Sequence, residues 1–575
     1  MQLSNTLTKL WKTLYPQEPE ELLQGFLQEV EATKQEIHFP SHNSEWYKDA
    51  VVYSLYVDLF NVNFNGLKEK LDYLQELGVN CLWLLPILDS PMKDAGFDIR
   101  DYKNIRADLL GLPNNSPEEE KRKVFRDFLE EAHDRGIKVI FDIALNHTSE
   151  EHQWFREAKK SKGNPFRDYY IWSDNTDLYK EARIIFYGLC ESNWQKEGDE
   201  YFFHRFFEFQ PDLNYKNPKV LLEMIRNFLF WLTQGVDGFR ADAIPYIWKE
   251  EGTDCENLPQ THAVVKFFRA VLDHVRPGTL LLAEACQKPK EVVKYFGDSD
   301  ECNAGYHFPL MPQMFKAISA ESAKPITKTL SLKVTPAIPE SAQWFTFLRC
   351  HDELSLELVY VSEEDRKYIH ENYCLKPQWD FRLGQGVAAR LSELMQRDPK
   401  KIALAYSIML TLPGTPIIYY GDEFGKLNDE AYYKEMIKHT GKDDTRFLVR
   451  GKIDWKEVEK SLSDGNSFSS KVYSSIKNMV NTRNKFKCFG RGSIEWLDLK
   501  DKDGNNLKEI LAYLRIYQNE KVMVVHNLSE KDITIDINNV NNMDENDLLG
   551  NIIENKNKTM NLEGHGYFWI DTSNQ

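Results

Sequence analysis

The chain has 575 residues, 42% of them hydrophobic and 28% charged, which excludes a disordered protein and exceeds what one hydrophobic core can organise. A formal net charge of −17 argues against nucleic acid and anionic membrane as partners, since both repel an acidic surface. No apolar run reaches the ~18 residues of a spanning helix, no basic patch precedes an apolar stretch at Met1, and eight cysteines without a Cys-x-x-Cys pair point to free thiols in a reducing cytoplasm.

Residues 1–45 hold Glu-, Gln- and Leu-rich helical stretches and are expected to form a helical N-terminal extension. From residue 46 a unit recurs in which an amphipathic helix stops at glycine and a short apolar run follows, ending in polar residues. It is seen at Leu67 to Leu77 with Gly78 and Val79 to Pro86, and at Lys121 to Arg135 with Gly136 and Lys138 to His147. It returns at Lys219 to Gln234 with Gly235 and Val236 to Asp242, at Thr261 to Val275 with Leu280 to Glu284, and at Lys401 to Leu412 with Pro416 to Glu423. Glycine suits the left-handed residue that ends a helix, and continuous apolar runs suit parallel strands covered on both faces. Adding Ala50 to Phe60, Cys302 to Phe308 and Trp344 to Leu348 makes eight strands, enough to close a (β/α)₈ barrel over residues 46–485. The aromatic-rich stretch between the third strand and Lys219 is too long for a plain loop, so an inserted domain is expected at about 148–215. Beyond residue 486, runs such as Val522 to Val525 and Ile533 to Ile537 alternate like antiparallel strands, giving a compact tail domain over 486–575.

A barrel of this kind places its chemistry at the C-terminal ends of the strands. Those ends here carry Asp98, Asp142, Asn146, His147, Arg240, Asp242, Glu284, His351, Asp352, Asp422 and Glu423. Any one of them could be a solvated or salt-bridged surface group, but together they suit glycosidic-bond cleavage, which needs a nucleophile, a proton donor and charge support. Arg240 lies two residues before Asp242, so both point to one face of a strand, and its guanidinium favours the ionised carboxylate. Leu282, Ala283 and Ala285 around Glu284 favour the protonated acid.

Asp142-Ile-Ala-Leu-Asn146-His147, Gly238-Phe-Arg240-Ala-Asp242, Glu284 and His351-Asp352 occur in that order and resemble four motifs of the α-amylase superfamily, glycoside hydrolase family 13. Gln210-Pro-Asp212-Leu-Asn214 resembles a fifth motif, in its form for short α-glucosides. The resemblance covers roughly residues 46 to 425. It implies Asp242 as nucleophile, Glu284 as general acid/base and Asp352 as transition-state stabiliser, with Asp98, His147, Arg240, His351 and Phe97 contacting a bound glucosyl unit. It also implies a domain B after the third strand and a β-sandwich at the C-terminus. Glu251 to His262, Leu282 to Ala285 and His307 to Pro312 resemble the trehalose synthase branch, which implies cleavage of maltose and rejoining of the two glucoses. Hydrolysis of α-1,4 or α-1,6 glucosides is the alternative, and a non-catalytic sugar-binding relative the more distant one.

Several positions depart from the pattern: Cys350 replaces the usual Asn, Phe97 the usual Tyr, and Asp444 to Gly451 follows no expected form. A Cys350 thiol nucleophile is set aside, because the adjacent His351 points to the opposite face. No cofactor is expected for the chemistry; a structural calcium through Asn146 and Asp212 is the metal implied, oxygen ligands being its preference. The expected partner is a small α-glucoside or malto-oligosaccharide, and the oligomeric state is left open.

Overall fold

The computed structural model describes residues 2–39, 45–537, 546–553, 555–556 and 559–573; the remaining parts of the expected extension and tail lie outside the described residues. Eight parallel strands close the barrel: β1 Val52–Leu55, β2 Cys81–Leu84, β3 Lys138–Ala144, β4 Gly238–Asp242, β5 Leu280–Ala283, β6 Ala304–Tyr306, β7 Gln343–Phe347 and β8 Thr415–Tyr419. Each pairs with its neighbours in sequence order, and β8 returns to β1. Every strand but β7 is shorter than its apolar run. The first shows why: after Leu55 the chain turns at Tyr56 and Val57–Asn61 is helical, its apolar residues buried as a helix rather than as strand.

The helices of the repeating unit pack outside. Pro218–Gln234 has Pro at its start and Gly235 at its end, at φ 105°, a conformation that L side chains resist. Gly238 opens β4 so close to β5 that a Cβ would stand 2.6 Å from the carbonyl oxygen of Leu280. The two N-terminal helices, Gln2–Leu14 and Glu20–Glu36, lie on this outer ring. Trp11 is fully buried, and Arg226 is paired with Glu29 at 2.7 Å.

Two excursions rise over the strand ends. After β3 comes a three-stranded sheet with Glu200–Phe203 between Trp172–Ser173 and Trp194–Glu197. After β7 comes a second, small sheet of Leu354–Ser355, Gly386–Val387 and Asp380–Phe381. The tail forms a four-stranded antiparallel sheet, Ser493–Trp496, Ile510–Tyr517, Glu520–Asn527 and Tyr567–Asp571, beside a three-stranded one. Trp569 anchors it to the barrel helix Pro399–Thr411 by donating its indole N–H to Ser407 Oγ at 2.8 Å.

Candidate active site

The strand ends and the two excursions border a cleft with a cavity volume of about 110 Å³. Asp242, Glu284 and Asp352 line it, with Arg240, His147, His351, Phe97 and Cys350. The structure thus brings together every expected catalytic and substrate-contacting residue except Asp98.

At the centre of one side is Arg240. Its position in β4 is set against Asp142 of β3, and its Nη1 meets Asp142 Oδ1 at 2.9 Å and also the Asp242 carboxylate. Nη2 lies 3.9 Å from Glu284 Oε1. Trp83, Phe97 and Tyr306 surround the guanidinium at 5.6–5.8 Å, which excludes water from it. One cation therefore serves three carboxyls in a low-dielectric pocket. Burial pushes the Asp242 carboxyl well above its ordinary range; Arg240 opposes that, while Glu284 and Asp142 add to it. Burial likewise lifts Asp142 to about 7 despite Arg240. Burial thus works against ionising Asp242 and Asp142, and Arg240 works for it. Glu284 is fixed by two donors, the backbone N–H of Ala243 to Oε2 at 3.0 Å and the Cys286 thiol to Oε1 at 3.0 Å.

The opposite side has the reverse balance. Asp352 Oδ1 receives Arg446 Nη1 at 3.2 Å and Arg450 Nη2 at 3.1 Å, and His351 Nε2 is 3.2 Å from Oδ2. Burial opposes ionisation, yet His351 and the two guanidinium groups hold this carboxyl well below the usual range. Both arginines come from the short helical turn Thr445–Val449 and its exit, the stretch whose sequence matched no expected form. Arg446 itself is steadied by Asp444, at 2.6 Å.

Burial lowers His147 to about 4 and His351 to about 3. Among the described residues, His147 Nε2 and His351 Nδ1 have no side-chain hydrogen bond although buried. Phe97 stacks on His351 with ring centroids 5.4 Å apart and 21° between planes.

Asp98 does not reach the cleft. Its carboxylate accepts from Ser90 Oγ at 2.9 Å and from the N–H groups of Lys93 and Asp94 at 3.0 and 3.1 Å, so it ties the loop that carries Phe97. Asp94, four residues earlier, lines the cleft instead, with Gln210 Nε2 donating to it at 2.9 Å and Arg446 at 3.7 Å. Sequence reading missed Asp94, Arg446 and Arg450. A carboxylate ahead of Gly96-Phe97 and two arginines four residues apart were the available signals.

The expected calcium ligands have another occupant. The ammonium of Lys249 lies 2.6 Å from Asn146 Oδ1 and 2.8 Å from Asp212 Oδ2. A calcium ion sits ~2.3–2.6 Å from its oxygens, so it would have to take the place of that ammonium. The residues present do not fit the ion, and Asn146 and Asp212 are corrected from metal ligands to partners of a lysine.

The cleft is roofed. Ile185, Phe186 and Phe206 descend from the domain after β3, and Phe381 and Arg382 from the excursion after β7. Arg382 joins the two by donating Nη1 to Ile185 O at 2.6 Å and meeting Glu357 at 2.8 Å. Arg183 spans the same gap, to Glu256 at 2.8 Å and Glu357 at 3.5 Å.

Residues 60–487 match the family model for the α-amylase catalytic domain, and residues 510–566 match that for the SusG α-amylase C-terminal domain. The chain is 37% identical to a protein named trehalose synthase/amylase TreS from Mycobacterium tuberculosis, over 91% of this chain and 90% of that one. It is 40% identical to a trehalose synthase from Thermus thermophilus, over 86% of this chain and 51% of the relative. In fold it is similar to the crystal structure of an α-amylase from H. orenii, with a TM-score of 0.69 and 24% identity, covering 93% of this chain and 100% of the other.

Proposed function

Because the chain belongs to the α-amylase family and is a retaining glycosidase or transglycosidase of it, we propose that it moves a glucosyl unit within a small α-glucoside, interconverting maltose and trehalose. In this reading an Asp242 oxygen attacks the anomeric carbon as the C1–O bond breaks, and Glu284 gives its proton to the departing oxygen. The covalent glucosyl-Asp242 is then attacked by the anomeric hydroxyl of the freed glucose, whose proton passes to Glu284 as the bond to Asp242 breaks. Asp352, kept anionic by Arg446 and Arg450, faces the positive charge that develops on the ring. His147, His351 and Asp94 offer hydrogen bonds to the glucosyl hydroxyls, with Arg240 holding Asp242 in place and Phe97 walling the sugar.

The observation that carries transfer rather than hydrolysis is the roof. Arg382 and Arg183 tie the two excursions together beside the cleft, and a narrowed opening keeps the freed glucose beside the intermediate and limits the entry of water. The names of the relatives at 36–40% identity support the same reading. Hydrolysis is the second reading, favoured by the word amylase in the name of the Mycobacterium relative. Incubation with maltose separates the two. Trehalose as the main product is expected; glucose as the sole product would sink the transfer reading.

A further inference from the structure

We propose that Lys249 is a built-in cation, filling the place where a divalent ion would join the inserted domain to the barrel, so that this junction holds without calcium. Three segments meet there. Asn146 follows the end of β3, Asp212 ends the inserted domain, and Lys249 comes from the loop after β4. The backbones of the first two are already joined: Leu213 N–H donates to Asn146 O at 2.8 Å, and His147 bridges Asp212 as a short antiparallel pair. Between their side chains stands the ammonium, on a residue only 3% exposed.

Charge and ligand count both favour lysine over a metal. Asp212 brings one negative charge and Asn146 none, so one ammonium balances the pair, whereas a divalent ion would leave a net positive charge out of contact with water. The second oxygen of Asp212 is taken by the backbone N–H of Arg205 at 2.9 Å. That leaves two free side-chain oxygens where calcium wants six to eight ligands. Arg205 itself, paired with Glu256, adds positive charge nearby and repels a dication further. A tethered cation also cannot be diluted or chelated away, unlike a bound ion, whose stabilisation depends on its concentration. The consequence reaches the cleft, because Asn146 precedes His147 and the junction sets where that ring stands.

The test begins with the wild-type protein, whose thermal midpoint is measured after dialysis against EDTA and again with added calcium chloride. The midpoint should be the same in both. A midpoint that drops with EDTA, recovers with calcium, and loses this response in Asp212→Asn would overturn the proposal. The second arm is Lys249→Glu, which swaps the cation for a carboxylate and creates a third oxygen ligand. Calorimetric titration with calcium should show one more bound ion than in wild type, and calcium should raise the midpoint of the variant by several degrees. A folded variant that gains no calcium over wild type also overturns it. Should Lys249→Glu not fold, the wild-type arm decides alone.

Discussion

The two sides of the cleft handle buried carboxylates in opposite ways. On one, Asp142, Asp242 and Glu284 share the single guanidinium of Arg240; on the other, Asp352 meets two, Arg450 and an Arg446 that also pairs with Asp444 and Asp94. Cation-poor surroundings retain a proton, and cation-rich surroundings expel it. A glycosidic bond needs both a proton to give to the leaving oxygen and an anion to face the forming cation. The same residue type fills both roles because the arginines are unevenly distributed.

The harshest way to break this contrast is to remove the attacking group from the cation-poor side. Asp242→Asn keeps the shape and the contact with Arg240 but cannot form the glucosyl bond, so turnover of maltose should drop by on the order of 10⁴-fold or more. Normal turnover in that variant would overturn the assignment of the nucleophile. The next test acts on the cation-rich side. Arg446→Met should lower kcat by roughly 10²-fold, the scale of losing one aligned charge-stabilising group. Its sign is checked by pH: Asp352 is held low by its arginines, so removing one raises its pKa and moves the acid limb of the rate profile to higher pH. An acid limb that stays put would mean that Arg446 acts only through packing.

Much of this contrast could not be read from sequence. The barrel could, because glycine-stopped helices and apolar runs repeat in a period that only parallel strands satisfy. Arg240 and Asp242 were legible as a pair because strand alternation points both to one face; Glu284, one residue past β5, was read from its neighbours and its motif. Asp98 was misplaced because it sits on a loop, where no period says whether a carboxylate faces the cleft or its own backbone. Arg446 and Arg450 were missed as site residues for a related reason: they lie about a hundred residues from Asp352, and only tertiary folding brings them to it. Lys249 escaped notice because an oxygen pair such as Asn146 and Asp212 suits an ammonium as well as a metal, and sequence does not say which arrives.

A smaller effect concerns the roof, which lies over both sides. Arg382→Ala removes the tie to Ile185 and Glu357 while leaving Asp242, Glu284 and Asp352 in place. Water then reaches the intermediate more often, and the ratio of glucose to trehalose formed from maltose should rise several-fold. An unchanged ratio with altered KM would make Arg382 a binding group rather than part of the closure.

The contrast can be pushed to its limit just past the C-terminal end of β8, where, among the described residues, a carboxyl has no ion pair. Glu423 accepts hydrogen bonds from Tyr53 at 2.7 Å and Tyr73 at 2.9 Å, and burial lifts it to about 7. A carboxyl raised from an ordinary 4.5 stabilises the fold while protonated. Its contribution is complete below pH ~4.5 and disappears as pH rises through about 7. Glu423→Gln keeps a neutral acceptor for both tyrosines and no longer titrates, so the decline of the thermal midpoint between pH 5 and 8 should become shallower. The change should be a few degrees at most, since a chain this large spreads a small free-energy change over a large unfolding entropy. Asp142, lifted to about 7, and Asp422, lifted to about 6, act in the same direction, so part of the slope should remain in the variant. An identical slope in wild type and Glu423→Gln would mean that Glu423 is ionised where it stands, and that two tyrosine hydroxyls can do for a carboxylate what the cleft needs arginines to do.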